Sequence, residues 1–207
     1  MLKLIEKETG QPIHELFDFV CGVSTGAIIA SFLAFHKKTI PEVEKTYKEI
    51  GSKIFTQHWF EGSRGLVTSH SYYNTKLYEE ILQEFVGSFP MNDIGNFHNS
   101  ATAVQFQIEY YLAFFPIARN LQPYPKVAIV SSQVCDKRIT PYVFRSYDLP
   151  FRNYSSYNGS SKHPIWTAVR ASSAAPTYFD DFLFDNKCFS DGGILANNAT
   201  HIGKKLP

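Results

Sequence analysis

The chain has 207 residues, 44% of them hydrophobic and 19% charged, which suits one globular domain with a sizeable core and excludes a disordered chain. Lys and Arg number 20 against 19 Asp and Glu, and a formal net charge of +1 supplies no field that would draw in nucleic acid. Three cysteines, Cys21, Cys135 and Cys188, cannot all pair and none stands in a C-x-x-C spacing, which argues against a disulfide scaffold and for a reducing compartment.

From the N-terminus, Met1 to Lys7 mixes charges into what a secretory signal would keep apolar. Leu2 to Ile5 and Ile13 to Leu16 have helical spacing, broken by Thr9-Gly10-Gln11-Pro12. Phe17 to Cys21 reads as a short buried strand ending at Gly22. Ala27 to Lys37 reads as a buried helix, apolar almost all round, with two lysines at its negative end. Its apolar run falls far short of the ~20 residues that span a bilayer, so no membrane-spanning helix is expected. Thr39-Ile40-Pro41-Glu42 is a capping box opening a helix to about Lys53, and Asn74 caps another whose apolar face is Leu77, Ile81, Leu82 and Phe85. Gly95 to Pro125 carries no clean period, and 95–116 reads as an unassigned insertion. Lys126 to Val134 and Tyr142 to Tyr147 read as strands, and Ile165 to Ser173 as a helix. Tyr178 to Phe184 and Cys188 to Ser190 read as closing strands. Strands and helices alternate, which points to an α/β layered fold. Without a signal, the N-x-[ST] matches at Asn153, Asn158 and Asn198 are expected to be fortuitous.

Gly22-Val23-Ser24-Thr25-Gly26 is a G-x-S-x-G between a predicted strand and a predicted helix. A nucleophile at such a turn sits in a strained conformation, and glycines at 22 and 26 let the chain turn and substrate approach. The following helix aims free N–H groups and its positive end at an oxyanion formed there. A serine needs a base. Of seven histidines, His201 alone follows the late aspartates, as a Ser…Asp…His order requires, yet its surroundings equally fit a solvated surface side chain. Asp191, in Ser190-Asp191-Gly192-Gly193, ends an apolar segment. It fits either a carboxylate delivered to a cleft by two flexible glycines or an ordinary Asp-Gly hairpin turn. The acidic pair Asp180-Asp181 fits a solvated turn.

Gly22-Val23-Ser24-Thr25-Gly26, Ala171-Ser172-Ser173-Ala174-Ala175-Pro176-Thr177-Tyr178-Phe179 and Asp191-Gly192-Gly193 stand in that order. Together they resemble a patatin-like phospholipase domain, in particular its calcium-independent phospholipase A2 branch, over about Ile13 to Glu84 and Ile117 to Asn198. The resemblance implies a three-layer α/β/α fold around a central, mostly parallel sheet. It also implies hydrolysis of fatty-acyl esters of glycerophospholipids by a Ser–Asp dyad: Ser24 the nucleophile, Asp191 the base, with Gly22, Gly26, Gly192 and Gly193 as motif glycines. An isolated Asp, with pKa about 3.9, is a weak base at neutral pH, so such a dyad demands a buried carboxylate against the hydroxyl. No cofactor and no metal are implied, and the expected partner is phospholipid at a membrane surface. The implied setting is intracellular, peripheral on organellar membranes, in lipid degradation.

The family pattern also places a Gly-rich loop with an Arg on a strand upstream of the nucleophile, where its N–H groups form the oxyanion hole. Met1 to Leu4 here already reads as the helix after that loop, and Gly62-Ser63-Arg64-Gly65 reads as an exposed turn. The family's Asn-Asn-Pro becomes Asn197-Asn198-Ala199. These departures lead to the expectation of one partial domain over 1–207, lacking the first strand and the C-terminal part. A second reading follows from them: a catalytically incompetent fragment that binds lipid or a partner. Losing one oxyanion donor alone typically costs about 10²–10³ in rate.

Overall fold

The computed structural model describes residues 1–56, 72–93, 125–134, 138–149 and 155–206. The 95–116 insertion, the turn at 62–65, His58, His70, His98, Cys135 and Asn153 lie outside the described residues. Eight helices and six strands are described: α1 (Leu2–Thr9), α2 (Ile13–Leu16), β1 (Phe19–Val23), α3 (Thr25–Ala34), α4 (Ile40–Phe55), α5 (Thr75–Phe85), β2 (Lys126–Gln133), β3 (Thr140–Arg145), β4 (Asn158–Ser160), α6 (Ile165–Ser172), β5 (Phe182–Phe184), β6 (Lys187–Ser190), α7 (Gly193–Ala196) and α8 (Thr200–Gly203).

Local signals set several helix ends. Gly10 closes α1 in the left-handed region, at φ 67°, which a glycine adopts without strain. The Asn74 side chain accepts the Leu77 N–H at 3.1 Å and starts α5. The Glu42 carboxylate accepts the Thr39 N–H at 2.8 Å, one half of the capping box at the head of α4. A longer-range cap joins these pieces. Glu6 on α1 accepts the N–H groups of Ile13 at 3.1 Å and Ile40 at 3.0 Å, the first residues of α2 and α4. One carboxylate thus satisfies donors that two helices leave open.

Several expectations are corrected. The first strand runs over Phe19–Val23 rather than Phe17 to Cys21, and of its residues only Gly22 is fully buried. Among the described residues β1 pairs with β2 alone, so it is half-covered where a central strand would be enclosed. The aromatic run from Tyr178 does not extend until Phe182: Pro176 to Phe179 turns instead, with Thr177 at φ 71°. Asn158-Gly159-Ser160 forms the unpredicted strand β4, pairing with β3 despite residues of low strand propensity.

The sheet order is β4-β3-β2-β6-β5, with β1 also on β2. It is mixed rather than mostly parallel. β1–β2 and β3–β4 are parallel, whereas β2–β3, β2–β6 and β5–β6 are antiparallel. Connection length explains this. Asp185-Asn186 links β5 to β6 with both residues at positive φ, 51° and 56°, and a two-residue turn can only join antiparallel strands. The short link from β2 to β3 is likewise too brief for a parallel crossover.

β2 is the spine. Val127, Ala128, Ile129 and Val130 are all fully buried, the mark of a strand covered on both faces. Val127 and Ile129, with Tyr142, Phe144 and Phe189, face the main core under α3, α4, α5 and α6. Ala128, Val130 and Val143 face the other side, where Ala199 and Ile202 near and within α8 cover them. Helices on both faces make this an α/β fold of three layers. α3 enters the core almost whole, with Ala27, Ile28, Ala30, Phe32, Leu33 and Ala34 buried.

Candidate active site

Two strands share one edge of β2. β3 takes one side over Ala128 to Gln133, so β1, paired with Lys126 to Val130, and β6, paired with Ser132 and Gln133, lie on the other. β1 runs parallel to β2 and β6 antiparallel, so their C-terminal ends face each other. Val23 sits beside Val130 and Ser190 beside Ser132. The residues that follow, Ser24 and Asp191, therefore meet level with Ser131.

The Ser24 hydroxyl donates to Asp191 Oδ2 at 2.6 Å. Its backbone, at φ 53° and ψ −124°, lies in a region that a residue with a side chain seldom enters, at a cost of about 1–3 kcal/mol. Asp191 is 7% exposed, and its other oxygen accepts the Gly193 N–H at 2.7 Å. The Asp191 N–H donates to the Ala174 carbonyl at 2.9 Å, and the Ser132 hydroxyl donates to the Asp191 carbonyl at 2.9 Å. The turn that carries the carboxylate is thus fixed at both ends of its peptide.

The four glycines serve unequal purposes. A Cβ on Gly22 would fall 2.5 Å from the Gly26 carbonyl oxygen, and one on Gly192 would fall 2.2 Å from the Val130 carbonyl oxygen. Both positions exclude a side chain because backbone lies against them. Gly193 would place a Cβ 2.9 Å from Asp191 Oδ1, whereas Gly26 faces open space. The last is room for a ligand, not a packing need.

Ser24 stands where two cavities meet. One, of about 860 Å³, is bordered by Asp191, Gly26, Asn197, Asn198 and Lys204. The other, of about 250 Å³, is almost wholly apolar, walled by Ile28, Ile50, Ile54, Tyr78 and Phe179. Tyr78 was not foreseen as a site residue. Burial pushes its phenol up to about 12, so it stays protonated. Its hydroxyl lies 2.6 Å from Ser173 Oγ, and Ser173 donates its own hydrogen to the Val169 carbonyl at 2.6 Å, which makes Tyr78 the donor. The apolar cavity therefore presents the tyrosine's ring without an unpaired hydroxyl hydrogen.

His201 is exposed on α8 and borders neither cavity. Asp180 is no solvated turn: it accepts the Thr75 hydroxyl at 3.0 Å, and its carbonyl accepts buried Arg170 at 2.7 Å. Asp181 is exposed. Among the described residues no three His, Cys, Asp or Glu side chains converge on a point that a metal could occupy. Burial raises the Cys21 thiol to about 11, which removes it as a nucleophile at neutral pH.

Strand, strained serine and helix have the form of a nucleophile elbow, and a carboxylate distant in sequence lies against the serine hydroxyl. The patatin-like phospholipase family profile matches residues 5–203. The chain belongs to this family. Among curated relatives, it is 38% identical over 203 residues to calcium-independent phospholipase A2-gamma of Homo sapiens, covering 97% of this chain and 22% of that protein. The corresponding protein of Oryctolagus cuniculus is 37% identical over 202 residues, again 97% and 22%. Phospholipase A I of Arabidopsis thaliana is 31% identical over 233 residues, 97% of this chain and 17% of that one. The patatin-like chain thus spans about a fifth of the length of these relatives. Among its described residues no helix is long and apolar enough to cross a membrane.

Proposed function

We propose that this chain is a serine acyl hydrolase that cleaves fatty-acyl esters of glycerophospholipids through Ser24 and Asp191. The observation that carries the reading is the 2.6 Å hydrogen bond between their side chains at the junction of the two cavities. The apolar cavity takes the acyl chain, and the larger, more polar one takes the glycerol and head group. Ser24 Oγ attacks the ester carbonyl carbon while its proton passes to Asp191 Oδ2. The oxyanion develops before the N–H groups that open α3, which have no intrahelical acceptor. The C–O bond to the glycerol then breaks, and the departing alcohol takes the proton from Asp191. Water attacks the acyl-Ser24 ester, giving its proton to Asp191, and collapse releases the fatty acid and returns the hydrogen to Ser24. The chain works as a peripheral protein on an intracellular membrane, where such esters lie.

Hydrolysis of a phospholipid with a fluorogenic acyl group tests the reading. Ser24→Ala and Asp191→Ala should each lower kcat by at least about 10³-fold while the fold melts as before. Unchanged turnover in either variant would refute it. The binding-fragment reading predicts a folded wild type that binds phospholipid vesicles without turnover.

A further inference from the structure

We propose that Ser172 is a positioning residue that sets the geometry between Ser24 and Asp191; the inference rests on the acyl-hydrolase reading above. Ser172 is the last residue of α6 and fully buried. Its carbonyl belongs to the last turn of the helix, which leaves four acceptors without intrahelical partners. That carbonyl accepts the Gly192 N–H at 3.0 Å and so holds the turn carrying Asp191. The Ser172 hydroxyl donates to the Val130 carbonyl on β2, and it accepts the Ser24 N–H at 2.9 Å. One residue therefore joins the sheet's spine, the strained peptide of Ser24 and the peptide after Asp191.

Neighbouring buried serines do separate tasks. Ser131 donates to the carbonyls of Ala171 and Ser190, Ser132 to that of Asp191, and Ser173 to that of Val169. Of these four serines, Ser172 is the one that bonds to both the Ser24 and the Asp191-Gly192 segments. The link has a clear physical purpose. An amide held at φ 53° relaxes unless something anchors it, and an acceptor from a rigid helix end fixes where Oγ points. The bond also commits the Ser24 N–H, which leaves Thr25 and Gly26 at the head of α3 to face an oxyanion.

Replacing Ser172 with Ala removes the acceptor and leaves the Ser24 N–H unpaired. A displacement of reacting atoms by about 1 Å typically costs about 10²-fold, so kcat should fall about 10–100-fold with KM within about twofold. Labelling of Ser24 by a fluorophosphonate should slow by the same factor. Ser172→Thr keeps the hydroxyl and should recover most of the rate. Thr167→Ala, which deletes another buried hydroxyl of α6, one that bonds to Pro164, controls for lost packing and should lower kcat less than twofold.

Hydrogen exchange at the Ser24 amide is read in parallel and needs no activity. It should be protected in the wild type and exchange at least about tenfold faster in Ser172→Ala. Equal exchange in the two proteins, rapid exchange in the wild type, or a loss confined to KM would overturn the role given to Ser172. A wild type that neither hydrolyses nor labels would instead defeat the acyl-hydrolase reading, while the amide measurement still decides whether Ser172 holds Ser24.

Discussion

Replacing Gly192 with Ala probes the meeting of the two strands without touching a reactive group. Gly192 has φ −61° and ψ −25°, a conformation that alanine adopts freely, so the change is purely steric. The added methyl would lie 2.2 Å from the Val130 carbonyl oxygen and 2.6 Å from Val23 Cγ2. Ordinary contact begins near 3.4 Å, so the turn must retreat by about 1 Å. The nearer obstacle cannot move aside, because the Val130 carbonyl belongs to the backbone of the buried spine strand. The retreat stretches the 3.0 Å Gly192–Ser172 bond and the 2.6 Å Ser24–Asp191 contact. A shift of that size should lower kcat about 10²-fold. Overpacking should cost about 1–3 kcal/mol of stability, read as a drop in Tm of about 2–4 °C per kcal/mol for a chain of this length. Acyl-ester hydrolysis and thermal melting on the same preparations measure both. Gly26→Ala is the stability control, since its methyl enters open space and it should melt no lower than wild type. If Gly192→Ala melts and turns over like wild type, the Val130 peptide does not stand behind Asp191 and the packing argument is wrong.

Ile54→Trp fills part of the apolar cavity, so hydrolysis of long-chain esters should fall at least about tenfold relative to acetate esters; equal loss for both would remove that cavity as the acyl site. Glu6→Ala leaves the N–H groups of Ile13 and Ile40 uncapped and should cost about 1–3 kcal/mol, measured by urea unfolding, whereas no change would deny the shared cap. His163 packs against the rings of Phe144 and Phe184, and burial pushes its pKa below 6.5, opposed by Asp185 and reinforced by Lys187. The unfolded chain protonates this side chain more readily than the folded one. Its stabilising effect is thus complete above about pH 6.5 and fades as pH falls through the lower folded value. Melting curves from pH 7.5 to 5.5 should fall more steeply for wild type than for His163→Gln, and parallel curves would contradict this.

The serine elbow was legible because its requirements are local: two glycines, an apolar strand before and an apolar helix after. Gly22 is needed because the Gly26 carbonyl folds back to within 2.5 Å of where its Cβ would be, a contact four residues away in sequence. Asp191 was a different case. Its own neighbourhood fits a hairpin turn as well as a site, and the choice depends on β1 and β6 ending toward each other along β2. No local pattern records that, and only the resemblance pointed to it. The sheet's mixed character was visible in principle in Asp185-Asn186, a two-residue turn that forbids parallel pairing. β4 escaped because Asn158-Gly159-Ser160 has no strand propensity and is held by its neighbour β3. Tyr78 carried no signal of its own, and Ser172, though it lies within the second of the three motifs, carried none that marked its role, since each gains its place from hydrogen bonds to distant segments.

The central claim is that the Ser24 hydroxyl is activated by Asp191, and covalent labelling tests it most directly. The folded chain treated with a fluorophosphonate, digested and read by mass spectrometry should carry one adduct, on the peptide containing Ser24. Asp191→Asn should slow its formation by at least about 10²-fold. An unmodified Ser24 in the wild type, or labelling at an equal rate without the Asp191 carboxylate, would contradict the account.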